Sequence, residues 1–212
     1  MKKLFLILIA AFIGFGGYYV YNHLSKYPNH LSTRHTMKKR IDLKKWITFS
    51  PKEEGFAALF PKKPEKVVRD LPIPGEEGSL PYKEFICKTE GEKSFSVSYT
   101  TLPEKWLKYG NGLVLGGALK VIMQELGKVE LIGKQSATFK SFPALDYEHY
   151  NKTTETAGTL ILVGNILYKV EMTYPHEKRE SAQEELEGFI ENFTPTALTP
   201  SESLESDTPQ SP

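Results

Sequence analysis

A single cysteine, Cys87, stands in 212 residues, so no internal disulfide and no paired-thiolate site can form. Its place in a run of strand character reads as a small buried apolar side chain. Also missing are a Gly-rich phosphate loop, a CxxC pair, HExxH and GxSxG, so the common signatures of nucleotide, zinc and serine chemistry are absent. No sign of charge dominates, the net value being +1. That balance conceals a polarity along the chain. Residues 1–45 carry nine Lys/Arg against Asp42 alone, residues 46–194 carry a net −4, and residues 195–212 have three acids and no base. A mildly acidic central part argues against nucleic acid as a partner.

Long hydrophobic runs are scarce too, and the one present lies at the start. Met1-Lys2-Lys3 precedes eighteen uncharged residues, Leu4 to Tyr21, with Tyr18, Tyr19 and Tyr21 at the far end. As a helix this run spans roughly 27 Å, enough for a hydrocarbon core, with tyrosines at the lipid–water boundary. Residues 1–21 therefore read as a signal anchor giving one membrane span. A cleaved signal peptide is the competing reading, although no clear A-x-A site comes after the run. Lys26, Arg34, Lys38, Lys39 and Arg40 on the far flank oppose the charge of Lys2 and Lys3. Signal-like N-termini export the chain beyond them, so the domain is expected outside the cytoplasm, in the periplasm. Residues 22–45 form a basic juxtamembrane linker in which Lys38, Lys39 and Arg40 would touch anionic headgroups. Its histidines (His23, His30, His35) match no metal-ligand spacing. Residues 195–212, rich in Pro, Ser, Thr and acid, read as a disordered tail.

Between these ends, residues 46–194 alternate as a sheet does. Phe95, Val97 and Tyr99 oppose Ser94, Ser96, Ser98 and Thr100, which predicts a half-buried strand. A preceding strand over 82–88 connects to it through Thr89-Glu90-Gly91, so the two are antiparallel. Leu160 to Val163 and Ile166 to Thr173 flank Gly164-Asn165, a hairpin dipeptide. Further strands are expected over 55–60, 65–70, 129–139 and 145–150. The stretch 178–193 places Ala182, Leu186, Phe189, Ile190 and Phe193 on one helical stripe. In a second helix, over 112–126, Lys120 is the only polar residue from Leu113 to Met123. A helix apolar almost all round is expected to be buried on several sides. Its Gly116-Gly117 costs roughly 2 kcal/mol of helix propensity, which points to a close backbone approach or to a helix starting later. Helices set between runs of hairpins predict an α+β fold on an antiparallel sheet.

Phe49-Ser50-Pro51, Gly55-Phe56 and Phe60-Pro61-Lys62-Lys63-Pro64 resemble the opening of a PsbP-like domain. Val163 to Val170 and Phe189-Ile190-Glu191-Asn192-Phe193 resemble its later hairpin and final helix. The resemblance covers residues 46–194 and rests on structural motifs. It is shared by photosystem accessory proteins, a nuclear Ran-binding import factor and many bacterial envelope proteins. It implies an α/β/α sandwich around an antiparallel sheet, no enzymatic activity and action by binding.

Three groups of residues are candidates for function. Asp146 and Glu148 share a strand face and suit a hard cation, with His149 on the opposite face; solvated acids are the plainer reading. Trp106 and Tyr109, between Pro103 and Gly110, precede the apolar helix and would flank a pocket. Leu113, Leu115, Leu119, Ile122 and Met123 offer more apolar surface than one sheet face needs. These residues together lead to the expectation of a membrane-anchored binding or accessory protein, without catalytic residues or cofactor, that docks a protein partner through this helix. A pocket beside helix 112–126 carrying a small apolar ligand is the alternative. A hydrolase site assembled from scattered residues ranks third.

Overall fold

The computed structural model describes residues 43–73 and 77–196. The expected membrane segment, the Lys38–Arg40 patch and most of the C-terminal tail lie outside those residues. Among the described residues no helix is long and apolar enough to cross a membrane.

Within the described residues, ten strands and three α-helices succeed one another along the chain. They are β1 (Ile47–Phe49), β2 (Phe56–Phe60), β3 (Glu65–Pro72), β4 (Ser79–Lys88), β5 (Ser94–Thr101), α1 (Glu104–Leu107) and α2 (Asn111–Leu126). After them come β6 (Glu130–Phe139), β7 (Phe142–Asn151), β8 (Thr154–Val163), β9 (Ile166–Pro175), α3 (Arg179–Glu191) and β10 (Thr194–Pro195). Seven strands form one sheet in the order β3-β4-β5-β9-β8-β7-β6, every neighbouring pair antiparallel. Tight turns join most neighbours. Gly164, at φ 58°, turns β8 into β9, as its dipeptide predicts. Lys140 and Ser141 turn β6 into β7 with φ of 46° and 76°, a left-handed pair with no glycine to announce it. In a small second sheet, β1-β2-β10, β2 matches the strand expected over 55–60, while β1 and β10 have no counterpart among the sequence expectations, because two- and three-residue strands carry no readable alternation.

Pleating divides the core in two. Phe95, Val97 and Tyr99 of β5 and Tyr168, Val170 and Met172 of β9 face α3 and the small sheet. There Phe189 packs edge-on against Phe60 and Phe95, at 5.2 and 5.4 Å between ring centroids. Leu160, Leu162 and Leu167 face the other way, toward Leu115 and Leu119 of α2. Helices thus lie on both faces of the sheet. This overturns the expectation that β5 is half-buried: Ser96, Ser98 and Thr100 are as hidden as their apolar neighbours.

Two further corrections concern α2. It is continuous from Asn111, and a Cβ at Gly116 or Gly117 would meet no atom within 4 Å, so neither a close backbone nor a late start explains the glycines. Nor is it buried on several sides; Leu115 and Leu119 alone of its residues are buried, and Leu113 is 71% exposed. The sheet does contain a glycine forced by contact. At Gly158 a Cβ would come within 2.5 Å of the Val170 carbonyl oxygen, in the strand position opposite both Tyr147 and Glu171.

Candidate functional site

Where α2 leaves the sheet, a cavity of about 430 Å³ opens. Its roof is α2, through Leu113, Val114, Gly117, Ala118, Val121 and Ile122. Its floor is the sheet, through Leu80, Leu160 and Leu167, with Leu102 just after β5. Leu71 and Pro72, from the end of β3, close one side, and Trp106 and Tyr109 stand at the other. The local sequence explains why these elements meet here. Pro103 starts α1 after β5, and Gly110, at φ 86°, breaks the chain so that α2 can set off in a new direction. Gly117 lines the cavity with no side chain, which leaves that part of the roof open.

One end of the cavity is polar. Tyr82, Ser98, Thr100 and Lys169 reach it from β4, β5 and β9. The Thr100 hydroxyl donates to the Pro81 carbonyl at 2.9 Å, and the Tyr82 phenol lies 2.8 Å from Ser98 Oγ. Behind them the sheet face carries a connected ionic network. Lys169 Nζ pairs with the Glu171 carboxylate and lies 4.0 Å from Glu84. The Tyr147 phenol donates to Glu171 at 2.5 Å, and the Arg69 guanidinium sits 3.5 Å from Glu84. Burial pulls the Lys169 pKa down, but the Glu171 carboxylate outweighs it and lifts the value well above that of a free lysine. Glu171 responds in mirror fashion: burial raises its pKa, and the Lys169 charge with the Tyr147 hydrogen bond brings it below the usual carboxylate range. Both groups are therefore charged. Burial keeps His149, stacked 6.2 Å from Tyr147, below its ordinary pKa and neutral.

The sequence candidates separate on this frame. Trp106, Tyr109, Leu113 and Ile122 meet at the cavity. Met123 packs against the adjoining core. Leu115 and Leu119, each 3% exposed, are core and present no surface to a partner. Glu148 is not a solvated acid: it is buried and accepts from Arg179 Nη2 at 2.7 Å, while Arg179 Nη1 donates to the buried Glu155 at 2.8 Å. That pairing ties the start of α3 to β7 and β8. Asp146 shares the strand face of Glu148 at intermediate exposure, and among the described residues no group of three or more His, Cys, Asp or Glu could hold a metal ion. The polar end of the cavity escaped sequence reasoning. Lys169 and Glu171 alternate with Tyr168 and Val170 just as solvent-facing residues do, and nothing local reveals a second layer above them. The one available signal was the size of the partners, small serines and a glycine, on the same face.

No protein-family model matches the chain, and no curated protein matches it. Among solved structures, the chain is similar to the solution structure of cyanobacterial PsbP (CyanoP) from Synechocystis sp. PCC 6803. The superposition has a TM-score of 0.50 at 12% identity and covers 75% of this chain and 96% of that one. Agreement over nearly all of that structure, at an identity too low to carry function, concerns the fold alone. Sheet order, helices on opposite faces and this likeness lead to one statement: the chain has a PsbP-like fold.

Proposed function

We propose that the protein is a non-enzymatic binding protein that takes a small apolar molecule into the cavity between α2 and the sheet. The observation that carries this reading is a cavity of about 430 Å³ walled by leucine, valine, isoleucine and tryptophan, with few polar groups at one end. Its size and lining suit a small-molecule ligand. The ionic groups near it are engaged with one another, which favours holding over chemical conversion. Native mass spectrometry of the full chain, purified gently from membranes, should show a co-purifying mass that Gly117→Phe removes. A clean unliganded mass, together with no uptake of added apolar probes, would end the reading.

The reading includes the membrane tether expected over residues 1–21, which would hold the cavity near a lipid surface. Protease protection in spheroplasts against inverted vesicles tests the extracytoplasmic placement. Exposure of the domain in inverted vesicles would reverse it.

A second reading, docking of a protein partner, draws on the rim of the cavity. Tyr109, before α2, is 69% exposed and Leu113, in its first turn, is 71% exposed, and both line the cavity. A photocrosslinking residue at position 109 should then capture one defined neighbour in intact membranes. Diffuse labelling of abundant proteins would argue for the ligand alone.

A further inference from the structure

We infer that the cavity selects an uncharged apolar molecule bearing one hydrogen-bond-accepting oxygen, such as a long-chain ketone, over the carboxylate or the ammonium of equal chain length. The inference rests on the reading of this cavity as a ligand site and names the chemistry of the occupant. It is drawn from the protons and charges at the polar end.

Tyr82 and Ser98 hold two hydroxyl protons between oxygens 2.8 Å apart. Their mutual hydrogen bond uses one, and whichever oxygen donates it, the other proton is left for a third partner. Lys169 adds a second donor at the same end, since an ammonium has three N–H groups and its carboxylate neighbours are two, Glu171 and Glu84. Donors that converge on an apolar chamber call for an acceptor. A pure hydrocarbon would strip their water and return nothing, at a cost in affinity.

The charges decide between acceptors. Within the network the Lys169 and Arg69 cations face the Glu84 and Glu171 carboxylates, two against two, and His149 is neutral. An entering carboxylate would leave water for a place with no uncompensated cation and would come up against two carboxylates. An entering ammonium would meet Lys169 in the same way. Either ion bears the full desolvation penalty, and a carbonyl oxygen does not.

The test uses the full chain in detergent-free nanodiscs, with N-phenyl-1-naphthylamine as the reporter of cavity occupancy. Competitors are 2-undecanone, undecanoate, undecylamine and undecane at neutral pH. We expect the ketone to displace the reporter at concentrations at least about tenfold below those of either ion, and about fivefold below the alkane. In the double variant Tyr82→Phe/Ser98→Ala, which removes both hydroxyl protons and leaves Lys169 in place, the ketone's advantage over the alkane should shrink at least about twofold. Undecanoate or undecylamine matching the ketone overturns the inference and leaves the cavity reading standing. So does an alkane equal to the ketone, or a ketone advantage undiminished in the double variant. A reporter that does not bind, with no competitor effect, removes the cavity reading as well.

Discussion

Glu54 draws three polar side chains together on the α3 face of the sheet. Its carboxylate takes Lys66, Lys83 at 2.9 Å and the Tyr99 phenol, and is 5% exposed. Burial raises the pKa of this carboxyl, but hydrogen bonds from Lys66, Tyr99 and Lys83 outweigh it and bring the value down to about 2. A folded value below the unfolded 4.5 means stability that is present above pH 4.5 and is lost as pH falls toward 2. With Lys66 45% exposed, screening reduces the effect to about 2 kcal/mol. Urea melts should show Glu54→Gln less stable than the native chain by that amount at pH 7, with the gap closing toward pH 2. A gap that persists at pH 2 would assign the loss to packing. None of this was legible in the sequence, where Glu54 sits in an unremarkable Lys-Glu-Glu-Gly turn. The partners come from three strands and meet only when the sheet forms.

At the scale of elements, the joint between α3 and the sheet depends on Arg179. Its two arms hold Glu148 of β7 and Glu155 of β8, which are 7% and 1% exposed at the side chain. Removing the guanidinium takes the shared cation from two buried carboxylates, although Glu155 keeps His176 Nδ1 at 2.6 Å, so Arg179→Met should cost about 3 kcal/mol in a thermal melt. Adding Glu148→Gln and Glu155→Gln should recover part of the loss. The opposite helix responds in the other direction. Because a Cβ at Gly116 or Gly117 meets nothing, Gly116→Ala and Gly117→Ala should each stabilise by about 1 kcal/mol through helix propensity. A loss of stability in either would mean that the helix packs more closely than its surroundings indicate. The apolar stripe of α3 and the hairpin at Gly164-Asn165 were plain in the sequence, since both are set by local periodicity and turn chemistry. The role of α2 was not, because an all-apolar helix looks the same whether it is sunk in a core or roofs a chamber.

For the whole molecule, the consequence of a chamber is linkage between occupancy and stability. A ligand at a hundred times its dissociation constant stabilises the folded state by about 2.7 kcal/mol. In a chain of this size that is a rise in Tm of roughly 5–10 °C. Differential scanning fluorimetry with 2-undecanone should show such a rise in the native chain and none in Gly117→Phe, whose ring would occupy the cavity. Equal rises in both would place the bound molecule elsewhere. The two cores on opposite faces of one sheet should also melt in a single thermal transition, because strands β7, β8 and β9 contribute side chains to both.

Local sequence was enough for most strands of the large sheet, the β4–β5 and β8–β9 hairpins, the two long helices and the likeness to a PsbP-like domain. These depend on near neighbours: alternation at period two, a stripe at period 3.6, and glycine where a turn needs a left-handed backbone. Only the folded chain shows that Ser96, Ser98 and Thr100 of β5 are buried, that Lys169 and Glu171 are mostly covered and paired with each other, and that α2 stands off the sheet far enough to leave a cavity. Those outcomes depend on distances between segments far apart in the chain, and a polar residue on a strand looks the same from sequence whether water or a helix lies above it.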